Sequence, residues 1–357
     1  MSKRFVLQTS ARWLAFALLG VLPAASLSAQ TPSCVPPAGQ KLTIYRAGSL
    51  TAAFKPLVEA FTCQTGIQVE EKTGSSVGMA RQCVNASPTC DLYASADYRD
   101  IDLFLKPAGY ADFTIVFAKG RMVLAYSAKD AAQKKLAIAD PASGPFDPPH
   151  SIPKASADWY KILTSPGVAI GGGVPFMDPG AYRTYLIFQL AQEYYKTPLL
   201  YDELMKHLVI PRGDHTVPAL GKLYDFQLTY EHNARATAKK DPDFRYVDLP
   251  DAVNLSDPAQ NAYYSKNAVV VLPGLEGSRG EQTIPVRAVA VAWGITVLKD
   301  APDRANALKF LQLLLGPAGT ASLNENGPAP ISPASVSPED FHKLPESLRL
   351  FVKTTGN

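Results

Sequence analysis

Three short apolar runs constrain what this chain can fold into. Leu42-Thr-Ile-Tyr-Arg46, Ile67-Gln-Val-Glu-Glu71 and Asp91-Leu-Tyr-Ala-Ser95 each read as a strand. The first is followed by the turn Ala47-Gly-Ser49 and by Leu50, Phe54, Leu57, Val58 and Phe61, the buried stripe of a helix. The second is followed by Thr73-Gly-Ser-Ser76 and a helical stretch from about Val77. Ala96 and Asp97 lead from the third into a helix carrying Ile101, Leu103 and Leu105. Strands alternating with helices at such short intervals predict βαβ units and a parallel sheet. Ligands of open α/β sheets bind at the carboxyl ends of strands. Ser49 and Ser76 occupy equivalent places there. If the first two strands are neighbours, both can face one anion; otherwise each only caps its own helix.

The same alternation resumes later. Met122-Val-Leu-Ala-Tyr126 is a strand, and residues 129–153, rich in Pro, Asp, Ala and Ser, form a surface loop. A helix is expected from 199 to 207, a strand and helix from Tyr224, and a strand, an extended connection and another strand over 245–275. Ala288–Leu298 is the longest strand-like run. Pro302 opens a helix that Gly316-Pro317 stops. The strong runs near 122 and 290 divide the chain into two α/β lobes. Residues 30–122 and 290–357 form the first, residues 123–289 the second. Crossings near 118–124 and 286–296 join them, with a cleft between.

Gly167–Arg183 carries the sharpest local signal. A short apolar strand passes through Gly171-Gly-Gly173 into a helix with Asp178 at the cap and Pro179 at the first helical position. Tyr182, Tyr185, Leu186, Leu190 and Tyr194 give that helix an apolar face. Its N-terminus suits an anion, yet it bears a carboxylate. Either Asp178 is an ordinary cap, or the ligand has an electrophilic centre that accepts it.

The N-terminus has a separate purpose. Lys3, Arg4 and Arg12 flank the start of an apolar run from Trp13 to Leu22, and small residues follow to Ala29, the order of a secretory signal peptide over residues 1–29. Those three are among 35 basic residues, and the 32 that remain equal the 32 acidic ones, so the mature chain has no basic excess for nucleic acid or an anionic membrane. Four cysteines, Cys34, Cys63, Cys83 and Cys90, suit an exported protein with two disulfides, and three connectivities are open. The short loop between Cys83 and Cys90 favours that pair, with Cys34–Cys63 as the other. The five histidines, His150, His207, His215, His232 and His342, form no metal-binding spacing, and neither a nucleophile elbow nor a phosphate loop of the Walker type is present.

An ordered set of segments resembles the archaeal-type molybdate/tungstate-binding proteins of ABC importers. These are Ala47-Gly-Ser-Leu50, Asp91–Tyr98, Phe117–Tyr126, Asp178-Pro-Gly-Ala-Tyr-Arg183, Leu249-Pro with Asn254-Leu-Ser-Asp257, Trp293-Gly-Ile-Thr-Val297 and the tail from Pro302 to Pro333. The resemblance spans about residues 42–335. It implies a two-lobed periplasmic-binding-protein-like fold, each lobe a mostly parallel sheet flanked by helices, joined by two hinge crossings. Such a protein is a periplasmic monomer that closes on one oxyanion and delivers it to a membrane ABC permease, with no cofactor and no catalysis.

The same resemblance implies donors from Ser49, Ser76 and the N–H groups around Gly180. It also implies a carboxylate, Asp178, reaching the Mo or W centre, with a second carboxylate completing octahedral coordination. The chain departs from that pattern. Thr229 stands where the second carboxylate is expected, followed by Tyr230, and Glu231 shares the Thr229 face only if the strand continues. Either Glu231 substitutes, or Ser49, Ser76, Tyr230 and backbone N–H groups hold a tetrahedral anion. Alternatives are sulfate, phosphate or a small carboxylate on the same fold, or an exported hydrolase using Asp178, Glu231 and His232.

Overall fold

The computed structural model describes residues 34–86, 89–147, 150–210, 220–274 and 283–355. The expected signal peptide, residues 1–29, and His215 lie outside the described residues. The chain begins with β1 (Lys41–Ala47), β2 (Gln68–Gly74), β3 (Leu92–Ser95) and β4 (Ile115–Lys119). It then crosses to β5 (Met122–Ser127), β6 (Ile170–Gly171), β7 (Leu208–Val209), β8 (Phe226–Tyr230) and β9 (Phe244–Asp248). A hairpin of β10 (Val269–Pro273) and β11 (Thr283–Arg287) follows, and β12 (Ala292–Val297), β13 (Ala329–Val336) and β14 (Val352–Thr354) return.

Among the described residues these strands make three sheets. The first lobe has seven strands in the order β14-β13-β4-β12-β3-β1-β2, the second has five in the order β7-β6-β8-β5-β9, and β10-β11 stands alone. β1 runs parallel to both neighbours, with Ala47 opposite Gly74 and Ile44 opposite Leu92. This is the neighbouring parallel pair that the two serine turns require. Elsewhere the sheets are mixed. β12 is antiparallel to β3 and β4, and β5 to β8 and β9, because these are the strands that enter straight from the other lobe.

The helix Thr51–Thr65 shows how sequence becomes packing. Phe54, Leu57 and Phe61 are buried on one side, and Phe54 and Phe61 meet Phe310 of the helix Arg304–Leu315 at ring separations of 5.9 and 5.4 Å. Burying each such ring contributes roughly 1.5–3 kcal/mol. Gly66 ends the helix at φ 71°, where its N–H reaches the Thr62 carbonyl, and a Cβ there would stand 2.2 Å from the Pro36 carbonyl oxygen.

The two crossings run side by side. Gly120 and Arg121 link β4 to β5, and residues 288–291 lead into β12, with the Gly120 N–H donating to the Val291 carbonyl at 3.0 Å. A Cβ on Gly120 would stand 2.9 Å from the Trp293 ring, so only glycine lets this crossing lie against the indole. The run from Ala288 to Leu298 is therefore not one strand. Its first residues bond outside any ladder, Ala288 N–H to Ala268, Ala290 N–H to the Asn261 side chain and Val291 N–H to Leu255. The extended connection expected within 245–275 is also corrected. It contains the helices Asp251–Asn254 and Asn261–Asn267, and Asp257-Pro258 opens a 3₁₀ turn in which the Asp257 side chain accepts from Ala259 N–H.

Both favoured disulfides are present, Cys34–Cys63 spanning 29 residues and Cys83–Cys90 spanning 7. Loop-closure entropy makes the longer bridge the more stabilising, about 3.5 against about 2.5 kcal/mol. Urea unfolding of Cys34→Ser/Cys63→Ser and Cys83→Ser/Cys90→Ser proteins checks this. The first pair is expected to lose more, and a reversed order would sink the entropic account.

Candidate functional site

A cavity of about 750 Å³ lies between the two lobes. From the first lobe it is lined by the turns after β1 and β2, with Gly48, Ser49, Gly74 and Ser75. From the second come Gly171–Gly173, Asp178 and Gly180 at the start of the helix Pro179–Tyr195, and Thr229 and Tyr230 at the end of β8. Asp178 is the single charged side chain among the lining residues described.

Asp178 takes the N-cap position with extended backbone, and Pro179 is the first helical residue. The Asp178 carbonyl accepts from Tyr182 N–H at 3.1 Å. The side chain lines the cavity, with the N–H groups of Gly180, Ala181 and Ser76 beside its carboxylate. Burial raises its pKa. The N–H groups of Ala181, Gly180 and Ser76 and the Arg183 charge oppose that shift without cancelling it. A Cβ on Gly180 would stand 2.9 Å from Asp178 Oδ2, so a side chain there would displace the carboxylate. The carboxylate therefore faces the cavity while keeping the N–H groups of its own helix start beside it, and the cap role and the ligand-contact role both fit this geometry.

Ser49 is held from two sides. Trp293 Nε1 donates to its hydroxyl at 3.0 Å, and His232 Nε2 lies 3.0 Å from its carbonyl. Ser76 sits behind the cavity wall. Its hydroxyl accepts from Ala96 N–H at 3.1 Å, and its carbonyl accepts from the Tyr93 hydroxyl at 2.8 Å. Ser75, one residue earlier, lines the cavity instead. It is the N-cap of the helix Ser76–Asn85 but makes no side-chain cap bond, leaving its hydroxyl free for a ligand. The doubled serine is the signal that could have found it, because the residue preceding a helix and the first residue within it face different ways.

Thr229 and Tyr230 reach the cavity from β8, and Glu231 does not. The strand stops at Tyr230, and Glu231 opens the helix Glu231–Ala238, where its carboxylate accepts from Arg235 at 3.1 Å. The period-two alternation that would return Glu231 to the Thr229 face ends one residue too early. His232, a candidate acid/base, is engaged structurally. It stacks on Tyr230 at 5.8 Å, meets Trp293 edge-on at 5.2 Å and bonds the Ser49 backbone. Among the described residues no group of three or more His, Cys, Asp or Glu is placed to hold a metal ion.

Behind Tyr230 lies a buried charge cluster. Arg183 donates to the Tyr230 hydroxyl at 2.7 Å and lies 3.1 Å from Asp97, which also accepts from Tyr182 at 2.8 Å and pairs with Arg99. Burial alone would raise the Asp97 pKa, but Arg99 and Arg183 more than offset it and hold the carboxyl below its usual range. Asp100 nearby is pushed upward by burial and by the Asp97 charge. With Asp100 protonated, two guanidiniums face one carboxylate, and the positive surplus lies close to the cavity.

Two α/β lobes meeting at a cavity lined by hydroxyl-bearing, glycine and apolar residues define a binding protein of the periplasmic type, built to take a small solute. The chain belongs to the bacterial extracellular solute-binding protein family, whose model matches residues 42–327. It is similar to the molybdate/tungstate-binding protein WtpA of Pyrococcus abyssi, with 28% identity over 339 residues, 88% of this chain and 90% of that one. An uncharacterized solute-binding protein of Petrotoga mobilis is 27% identical over 324 residues, 89% of this chain and 91% of that one. Among solved structures, the periplasmic molybdate-binding protein of Azotobacter vinelandii gives a TM-score of 0.53 at 19% identity, covering 81% of this chain and 98% of that one. The sulfate-binding protein SubI of Mycobacterium tuberculosis gives 0.54 at 15%, covering 88% and 94%. At these identities the structures show a shared fold.

The His232 contact sets a pH dependence. Burial lowers its pKa to about 4, with the Ser49 bond pulling the other way. Unfolded, it titrates near 6.5. The neutral ring therefore gives full stability above about pH 6.5, and that contribution is lost as pH falls through about 4. Between pH 7.5 and 4.5 the loss is about 2–3 kcal/mol. Urea midpoints of the parent and His232→Gln at those two pH values check it. The variant should lose less on acidification, and an equal loss would refute the assignment.

Proposed function

We propose that this protein is a monomeric, exported solute-binding protein that captures molybdate or tungstate between its lobes and delivers it to an ABC permease. The observation that carries this reading is Asp178, the one charged side chain in a cavity whose other described lining residues are neutral, hydroxyl-bearing or apolar. A simple oxyanion would be repelled by an ionised carboxylate in a closed cleft. A hexavalent metal centre accepts a carboxylate oxygen, and a protonated carboxyl donates to an oxo group. Both suit a group whose pKa burial raises. The similarity to the Pyrococcus abyssi protein, which is named for these two anions, supports the same choice.

In this reading the Ser49, Ser75, Thr229 and Tyr230 hydroxyls hold the oxygens, the N–H groups of Ser76, Gly180 and Ala181 orient the Asp178 carboxylate, and Asp178 discriminates among anions. Thr229 supplies a hydroxyl where a second carboxylate would complete six-coordination, so the anion stays closer to tetrahedral. That same hydroxyl favours the second reading, a tetrahedral anion such as sulfate or phosphate in the same cavity. The protein works by enclosure at the two crossings, with no catalytic step, cofactor or nucleic-acid partner.

Calorimetry with molybdate, tungstate, sulfate and phosphate tests this. Molybdate and tungstate should bind tightest, and Asp178→Ala should weaken those two at least tenfold while leaving the others nearly unchanged. Tight sulfate or phosphate binding without any molybdate or tungstate binding would overturn the ligand assignment in favour of the second reading. In a separate measurement, parent affinity for molybdate is followed across pH. Because burial raises the Asp178 pKa, its carboxyl loses its proton at higher pH than an exposed carboxyl does. If the protonated carboxyl is the contact, affinity falls with rising pH; if the ionised carboxylate binds the metal centre, it does not.

A further inference from the structure

Arg183 is fully buried, and its guanidinium bridges the lobes. One terminal nitrogen donates both to the Tyr230 hydroxyl at 2.7 Å and to the Ala96 carbonyl at 2.9 Å; the other lies 3.1 Å from Asp97. Tyr230 ends β8 in the second lobe, whereas Ala96 and Asp97 follow β3 in the first. A guanidinium only donates, so at this contact the phenol oxygen must accept. The phenol proton is thereby left for another acceptor, and among the described residues none takes it. Tyr230 lines the cavity, and a Cβ on Gly180 would lie 3.8 Å from its hydroxyl and 2.9 Å from Asp178 Oδ2, so phenol and carboxyl converge on one corner.

The rest of the guanidinium is poorly served. Its Nε and second terminal nitrogen are buried without a hydrogen-bond partner, although the latter has the Asp97 charge beside it. A buried ion pair is weak evidence for stability, and one with open donors is weaker still. A group placed for stability would have those donors satisfied. What the arrangement does satisfy is the phenol oxygen and the Ala96 carbonyl of the opposite lobe.

We propose that Arg183 is a positioning residue that holds Tyr230 as a hydrogen-bond donor to the bound anion and does so only when the lobes are closed. The inference rests on the oxyanion reading of the cavity. Opening the lobes withdraws Ala96 and Asp97, frees the guanidinium, and lets the phenol turn its proton elsewhere. Anion binding and closure are thereby coupled through one side chain.

A double-mutant cycle read by molybdate calorimetry tests it, using the full mature protein as parent, Tyr230→Phe, Arg183→Lys and the double variant. Arg183→Lys keeps the charge but not the planar fork. A hydrogen bond to a charged oxygen predicts a loss of roughly tenfold to a hundredfold for Tyr230→Phe. Arg183→Lys should show a comparable loss, and the double variant should bind within about twofold of Tyr230→Phe. Urea midpoints follow the fold of each protein separately. A merely structural role would weaken binding in both backgrounds, so multiplying losses overturn the proposal, as does parental affinity in Arg183→Lys. If the parent itself binds no molybdate, tungstate, sulfate or phosphate, the oxyanion reading fails and takes the donor role with it. If the parent binds and the losses multiply, only the positioning role fails.

Discussion

The parallel pairing of β1 with β2, Ala47 opposite Gly74, is the constraint on which the site depends. It brings two small-residue turns to the same sheet edge at the same height, each opening a helix. Because side chains and free N–H groups project beyond the carboxyl ends of parallel strands, one wall of a binding site follows from register alone. The opposite wall depends on the second lobe coming up to meet it. The paired crossings at Gly120 and Val291 set how that approach occurs, and Trp293 packs against one of them while its indole N–H holds Ser49.

The cavity's electrostatics are unusual for a site read as anion-binding. No basic side chain is among its described lining residues, and its one formal charge is negative. Positive charge is kept one layer back, in the Arg99–Asp97–Arg183 cluster behind Tyr230. Such an arrangement spares the ligand a strong, unselective ion pair. In the oxyanion reading proposed above, neutral donors would read the ligand's oxygens at hydrogen-bond range while the buried charges supplied a favourable field. On that proposal selectivity would rest on short-range contacts, where Asp178 and Thr229 differ from a simple nest of N–H groups.

Much of this was legible before the fold. The alternation from Leu42 to Leu105 predicted the parallel edge, Asp178-Pro179 the helix start, and the short loop from Cys83 to Cys90 its disulfide. These succeed because each depends on residues close in sequence. The misreadings share one cause, the partners that only folding supplies. Ala288–Val291 has strand-forming side chains, but its backbone donors meet Ala268, Asn261 and Leu255 rather than a ladder. Asp257-Pro258 is the same cap signal as Asp178-Pro179, placed in a stretch whose polar character suggested extended chain.

By itself, then, the sequence determined the kind of protein: two α/β lobes, two bridges, and a carboxylate at a helix start beside hydroxyl-bearing turns. Tertiary structure decided which of those groups face the cavity. Ser75 rather than Ser76 presents its hydroxyl because helix geometry rotates neighbouring residues apart. Glu231 pairs with Arg235 because β8 ends at Tyr230. Arg183, in plain view within Asp178–Arg183, gained its partners only when Ala96 and Asp97 arrived from 87 and 86 residues earlier in the chain. Local pattern fixes an element and its buried face, but which side chain meets which across a cleft is set by the docking of the lobes, and no periodicity encodes that.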